Sequence, residues 1–140
     1  MNSFNKLKKI KTLLVDDDEL IRDSLKIAFS AKGCAMRVAE SAEEGLKAIS
    51  EEPFDIIISD LRLPGMNGLD FIRQAAVIQP HAIRFLITAY RDDHIISEAV
   101  RIGVNEFIEK PFSVKVLVNL LALAIKHQER TRAAVDRKTA

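Results

Sequence analysis

Four short apolar runs in this chain lead into polar residues able to do chemistry: Asp16-Asp17-Asp18 after the first, then Asp60, Thr88 and Lys110. If the runs are strands of one open parallel sheet, these polar ends meet at one edge, because reacting groups collect where such strands stop and helices have not yet begun. Asp16, Asp17 and Asp60 would then crowd negative charge into one crevice, which mutual repulsion makes costly unless a cation sits among them. Hard carboxylate oxygens with room for water suit magnesium, with manganese as the alternative. Carboxylate, metal, hydroxyl and ammonium together are the equipment for moving a phosphoryl group onto Asp60. Singly, each residue has an ordinary explanation: Asp18 reads as a cap on the next helix, Asp60 as a turn former, Thr88 as a strand-end partner and Lys110 as a surface lysine before Pro111.

Other chemistries fail on spacing. The run from Asp16 to Ile21 lacks the glycine that a calcium loop needs at its sixth position, no phosphate-binding GxxxxGK[ST] loop occurs, and Gly65-Met66-Asn67-Gly68 lacks the basic context of an RNA-binding loop. His81, His94 and His127 have neither paired spacing nor a neighbouring acid, so they read as solvent-exposed histidines rather than zinc ligands. Ser24, Ser50 and Cys34 have no candidate base, which argues against a serine or cysteine nucleophile.

The elements that must position these groups follow from periodicity. Apolar runs at Thr12–Val15, Cys34–Ala39, Phe54–Ser59, Ile83–Thr88 and Val104–Ile108 read as strands, the second as an edge strand because Met36-Arg37-Val38 alternates. Between them, Ile21, Leu25 and Ala28, then Ala42, Gly45, Leu46 and Ile49, then Leu69, Ile72 and Ala76, then Ile95, Ala99 and Ile102 recur at helical spacing. Ser41 and Asp92 are placed as N-caps, Gly33 and Gly103 as C-terminal breakers, and a last helix starts near Ser113. This alternation predicts a doubly wound α/β domain with a five-stranded parallel sheet and five helices. Its 140 residues suit one domain with one core.

Composition narrows the setting. Apolar residues make up 48% and charged residues 29%, a globular balance. A single cysteine, no apolar leader and no run approaching the roughly 20 residues of a membrane span point to a reducing cytoplasm. The net charge of +1 conceals an acidic body between two basic ends, Lys6 to Lys11 and Lys126 to Lys138. These ends read as solvated flexible termini rather than a nucleic-acid surface. The chain divides into a basic segment at residues 1–10, a body at 11–127, and a helical extension or flexible tail at 128–140. It is either a stand-alone protein or the front of a longer one.

Four segments in order carry a resemblance: Leu13-Leu14-Val15-Asp16-Asp17-Asp18-Glu19, Asp55 to Gly68, Ile87-Thr88-Ala89 and Glu109-Lys110-Pro111-Phe112. Over about residues 10–127 the chain resembles the receiver domain of two-component response regulators. The resemblance implies a flavodoxin-like sheet of order 2-1-3-4-5, a signalling switch rather than an enzyme, and a phosphoryl donor that is a sensor histidine kinase or a histidine phosphotransfer protein. It implies Asp60 as phosphoacceptor, Asp17 and Asp60 as direct magnesium ligands with the backbone carbonyl of Arg62, and Asp16 acting mainly through water. Thr88 and Lys110 would contact phosphoryl oxygens, with Lys110–Pro111 a cis peptide. Thr88 and Phe107 would form the switch, and Arg62 and Tyr90 would tune the lifetime of the aspartyl phosphate. Two other readings stand beside it: a receiver-shaped interaction module that works without phosphorylation, and a phosphohydrolase of the haloacid dehalogenase type. The latter needs Asp-x-Asp, and Arg62 occupies the second position.

The last helix carries a prediction of its own. Val114, Leu117, Val118, Leu121 and Ile125 would cover the sheet, while Val116, Leu120 and Leu123 fall nearly opposite. A second apolar stripe implies a partner surface, and a homodimer favoured by phosphorylation is expected there. No nucleic-acid binding and no membrane span are expected of this segment.

Overall fold

The structure, a computed structural model, describes residues 3–139. Five parallel strands form one sheet: β1 (Lys11–Val15), β2 (Ala35–Ala39), β3 (Ile56–Asp60), β4 (Ile83–Thr88) and β5 (Glu106–Glu109), in the order β2-β1-β3-β4-β5. The central strands are buried on both faces, as continuous Ile-Leu-Val runs require. β2 lies at an edge with three half-buried residues.

Alternating side chains supply two cores. One face of the sheet packs Leu13, Val15, Ile57 and Leu86 against α3 (Ala42–Glu51), α4 (Gly68–Ile78) and α5 (Asp93–Ile102). The other packs Leu14, Ile58, Phe85 and Ile108 against α2 (Glu19–Ala31) and α6 (Val114–Thr139). The helix punctuation follows side-chain chemistry. Asp18, Ser41 and Asp92 accept main-chain N–H groups of the first turns of α2, α3 and α5. Gly103 ends α5 with φ of 109°, a conformation that favours glycine. Ser113 Oγ accepts the N–H of Val116 and opens α6.

Register brings the functional edge together. Val15 lies beside Ser59, Asp60 beside Ile87, and Thr88 beside Glu109. Three strands begin later than expected from the apolar runs: β2 by one residue, because Cys34 gives its N–H to Phe29 O at the end of α2, and β3 and β5 by two each. Phe54 gives its N–H to Gln79 Oε1 instead of to a strand, and Val104 gives its N–H to Ala99 O at the end of α5.

The N-terminus departs from expectation. Among the described residues there are six helices rather than five, because Phe4–Leu7 forms a short helix, α1, in the segment expected to be a flexible arm. Leu7 is fully buried among Phe29, Leu121 and Ile125, and Phe4 meets Phe29 edge-on at 5.7 Å. Ser3 Oγ donates to Asn119 Oδ1 at 2.6 Å and Lys6 pairs with Glu129 at 2.9 Å. One buried leucine contributes about 1.5–3 kcal/mol, enough to hold a single turn that could not persist alone. α6 in turn continues unbroken past residue 127 to Thr139.

Candidate functional site: an acidic crevice at the carboxyl edge

The crevice is built by four strand ends. β1 delivers Asp16 and then Asp17. Asp16 is fully buried and its Oδ1 accepts the N–H of Asp18 at 2.9 Å, while Asp17 is exposed at the rim. β3 ends in Asp60, which is buried. Asp16, Asp17 and Asp60 each offer a carboxylate oxygen, and these three atoms lie within 4.8 Å of one another. No other group of three or more potential metal ligands occurs among the described residues.

Lys110 enters from beyond β5. Its main-chain N–H donates to Thr88 O at 2.9 Å, which ties it to the end of β4. Its Nζ donates to Asp60 Oδ2 at 2.9 Å and lies 3.4 Å from Asp16 Oδ2. The Lys110–Pro111 peptide is cis.

The electrostatics record the crowding. Burial pushes the Asp16 carboxyl up to about 6; the Asp18 N–H opposes this, the charge of Asp60 adds to it, and Lys110 opposes it. Burial would lower Lys110, but the hydrogen bond to Asp60 and the charges of Asp16 and Asp60 hold it above the ordinary lysine value. One ammonium therefore serves two buried carboxylates, and it serves them unequally: Asp16 Oδ2 is buried with no hydrogen bond of its own. An orphaned buried carboxylate oxygen among three converging carboxylates fits a hard divalent cation.

Thr88 is buried at the end of β4, with its hydroxyl turned to its own loop. It donates to Tyr90 O at 2.7 Å and accepts the N–H of Tyr90 at 3.2 Å. Tyr90 is 74% exposed. Arg62 is exposed, and its N–H reaches Asp60 Oδ1 at 3.4 Å. Phe107 lies beside Leu86 in the β4–β5 register, half-buried against the core. A groove of about 520 Å³ joins Thr88 and Phe107 to Val116 and Leu120 on α6. Of the outer α6 stripe, Val116 is 49% and Leu123 63% exposed, while Leu120 is half-buried against the core.

Two residues here escape a reading by residue type. A Cβ on Gly68 would lie 2.0 Å from Asp60 O and 2.9 Å from Leu61 Cα, so the start of α4 can approach the loop after β3 only as glycine. Arg22 Nη1 donates to Asp16 O at 2.9 Å. In the sequence it is one more charged residue on an amphipathic helix; only its interval of six residues from Asp16 could have drawn notice.

The sequence profile of the response regulator receiver domain matches residues 12–122. The chain belongs to that family. Among curated proteins the receiver domain is 31% identical over 123 residues to the transcriptional regulatory protein FixJ of Rhizobium meliloti (strain 1021), covering 88% of this chain and 60% of FixJ. It is 32% identical over 130 residues to the response regulator protein PilR of Pseudomonas aeruginosa, covering 91% of this chain and 29% of PilR. The receiver domain thus spans only part of the length of these relatives. Among solved structures it superposes on a CheY-like receiver domain protein from Methanospirillum hungatei JF-1 with a TM-score of 0.82 at 28% identity, covering 87% and 98% of the two chains. It also superposes on a response regulator from Burkholderia pseudomallei, described with a phosphorylated aspartic acid, a calcium ion and citrate. There the TM-score is 0.75 at 28% identity, with 89% and 75% covered. These likenesses place the receiver domain in two-component signalling with a flavodoxin-like fold. No helix among the described residues is long and apolar enough to cross a membrane.

Proposed function

We propose that this receiver domain is a phosphorylation-activated switch in which Asp60 accepts a phosphoryl group from a phosphohistidine, with magnesium held by Asp17, Asp60 and the backbone carbonyl of Arg62, and with Asp16 acting mainly through water. The observation that carries the reading is the pairing of one lysine with two buried carboxylates, one of them lacking a hydrogen bond at its Oδ2. In the transfer, an Asp60 carboxylate oxygen attacks phosphorus, the bond from phosphorus to the histidine nitrogen breaks, and the imidazole leaves with its electron pair. Bound magnesium, or manganese, supplies charge neutralisation for the incoming phosphoryl oxygens. Lys110 follows its charge partner from the Asp60 carboxylate to the phosphoryl oxygens. The donor is a sensor histidine kinase or a histidine phosphotransfer protein, and the setting is the cytoplasm. The phosphorylated aspartic acid and calcium ion of the Burkholderia pseudomallei structure support this reading by analogy.

Phosphorylation replaces the single charge of the Asp60 carboxylate with the charge of about −1.5 to −2 that a phosphoryl group carries at pH 7, a net gain of up to about one negative charge. Thr88 then exchanges its bond to Tyr90 O for the phosphoryl group, and Phe107 turns into the vacated space. Because one groove joins Thr88 and Phe107 to Val116 and Leu120, this movement reaches the α6 surface, where Val116, Leu120 and Leu123 form a homodimer interface. Arg62 and Tyr90, flanking the crevice, slow hydrolysis by screening water. Residues 11–127 form the switching body, and residues 1–10 and 128–140 are its extensions.

The test is incubation with a small acyl phosphate and magnesium, followed by intact-mass measurement. Wild type should gain one phosphoryl group and Asp60→Asn none; equal labelling of the two would sink the assignment. Light scattering on the same samples should show a larger species for phosphorylated wild type and a monomer for Leu120→Glu. A monomer throughout would remove the dimer from the account.

A further inference from the structure

Arg22 projects from the second turn of α2 back toward the end of β1, and only 14% of its side chain is exposed. A helix arginine ordinarily extends its head into water, and burying it restricts a long side chain. Here Nη1 donates to the main-chain carbonyl of Asp16 at 2.9 Å, and Nη2 lies 3.8 Å from Glu40 Oε2 in the loop after β2. The main chain of Glu40 is fixed, because its N–H donates to Glu44 Oε2 at 3.0 Å, while its side chain stays 63% exposed. The Asp16–Asp17 segment is therefore held from two sides: the Asp16 carboxylate by the N–H of Asp18, and the Asp16 carbonyl by Arg22.

We propose that Arg22 is a positioning residue for the metal-binding carboxylates: by fixing the Asp16 carbonyl it holds Asp16 and Asp17 turned toward Asp60 before a divalent cation arrives. The inference rests on the reading of Asp16, Asp17 and Asp60 as a magnesium site. A guanidinium this close also repels a divalent cation. Positioning and repulsion therefore make opposite predictions for its removal, which is what makes the role decidable.

The experiment titrates magnesium alone into wild type, Arg22→Met and Arg22→Lys at fixed ionic strength. Metal affinity is read by calorimetry, and the Asp18 amide by hydrogen exchange. Methionine keeps the aliphatic bulk and removes both charge and donor, whereas lysine restores a charged donor. Positioning predicts about a 10-fold weaker magnesium affinity for Arg22→Met, faster exchange at Asp18, and recovery of most of both in Arg22→Lys. Magnesium binding by Arg22→Met as tight as wild type or tighter would overturn the inference and leave only a repelling charge. Should Arg22→Met fail to fold, Arg22→Gln decides by the same titration, weaker binding supporting the role and equal or tighter binding overturning it. Wild type that binds no magnesium would instead overturn the site itself, so the two failures are distinguishable.

Discussion

Asp16→Asn should stabilise the metal-free protein while weakening its response to magnesium. The Asp16 carboxyl is raised from 3.8 to about 6 by burial, so above pH 6 the folded state carries an ionised group that it would hold more readily as a neutral one. That difference corresponds to about 3 kcal/mol. Because the folded-state value lies above the unfolded one, the folded protein takes up a proton between about pH 6 and 4 that the unfolded chain does not. The penalty is fully present above pH 6 and fades as pH falls toward 4. Asparagine removes the charge and keeps an acceptor for the Asp18 N–H, but it turns an amide donor toward Lys110, a mismatch of about 1 kcal/mol. The net expectation at pH 7.5 without metal is a gain of about 1–2 kcal/mol, raising the thermal midpoint by roughly 3–8 °C. At pH 4 the penalty is gone and only the mismatch remains, so the variant should be less stable than wild type by about 1 kcal/mol. Thermal unfolding of both proteins at the two pH values, with and without magnesium, checks all of this. Magnesium should raise the wild-type midpoint more than the variant's, since only wild type keeps the full carboxylate set. A variant less stable than wild type at pH 7.5 without metal, or a gain that persists unchanged at pH 4, would refute the reasoning.

Gly68→Ala should destabilise by about 3 kcal/mol or more in denaturant unfolding, because its Cβ would meet the main chain of Asp60 and Leu61 rather than a yielding side chain; a change below about 1 kcal/mol would mean that the loop after β3 moves freely. Leu7→Ala should lose about 2–4 kcal/mol by the same measurement, since the side chain is fully buried, whereas a flexible N-terminal arm would give no change. Tyr90→Ala should shorten the lifetime of the phosphorylated state severalfold in a mass-based decay assay; an equal or longer lifetime would reject screening by that ring.

Much of the fold was legible because its signals are local. Ile56-Ile57-Ile58 and Ile83 to Thr88 are too apolar for anything but a doubly covered strand, and the residues after them name the functional edge. Asp18, Ser41 and Asp92 cap helices through bonds to N–H groups two or three residues away, an interval a sequence displays directly. What stayed hidden depends on contacts between distant parts of the chain. The tetrapeptide Phe4-Asn5-Lys6-Leu7 is too short to show a period, and its helix exists because Leu7 is buried with Leu121 and Ile125 of α6, while Ser3 and Lys6 meet residues 116 and 123 positions away. The start of β3 was misplaced because Gln79, 25 residues away, takes the Phe54 N–H. At the site, Asp16, Asp17, Asp60, Thr88 and Lys110 announce themselves by type and by place after a strand. Gly68 acts through the absence of a side chain, and Arg22 through the direction in which its side chain folds back. Residue type and helical phase record neither.

The central claim, that Asp60 is the acceptor in a magnesium-dependent crevice, is met most directly by trapping the acyl phosphate chemically. Protein treated with a small acyl phosphate is reduced with borohydride, which converts an aspartyl phosphate into homoserine, and the peptides are sequenced by mass spectrometry. The account predicts homoserine at position 60 alone, abundant with magnesium and nearly absent when the metal is chelated. Homoserine at Asp16 or Asp17 instead, or the same yield at position 60 with and without the metal, would contradict it.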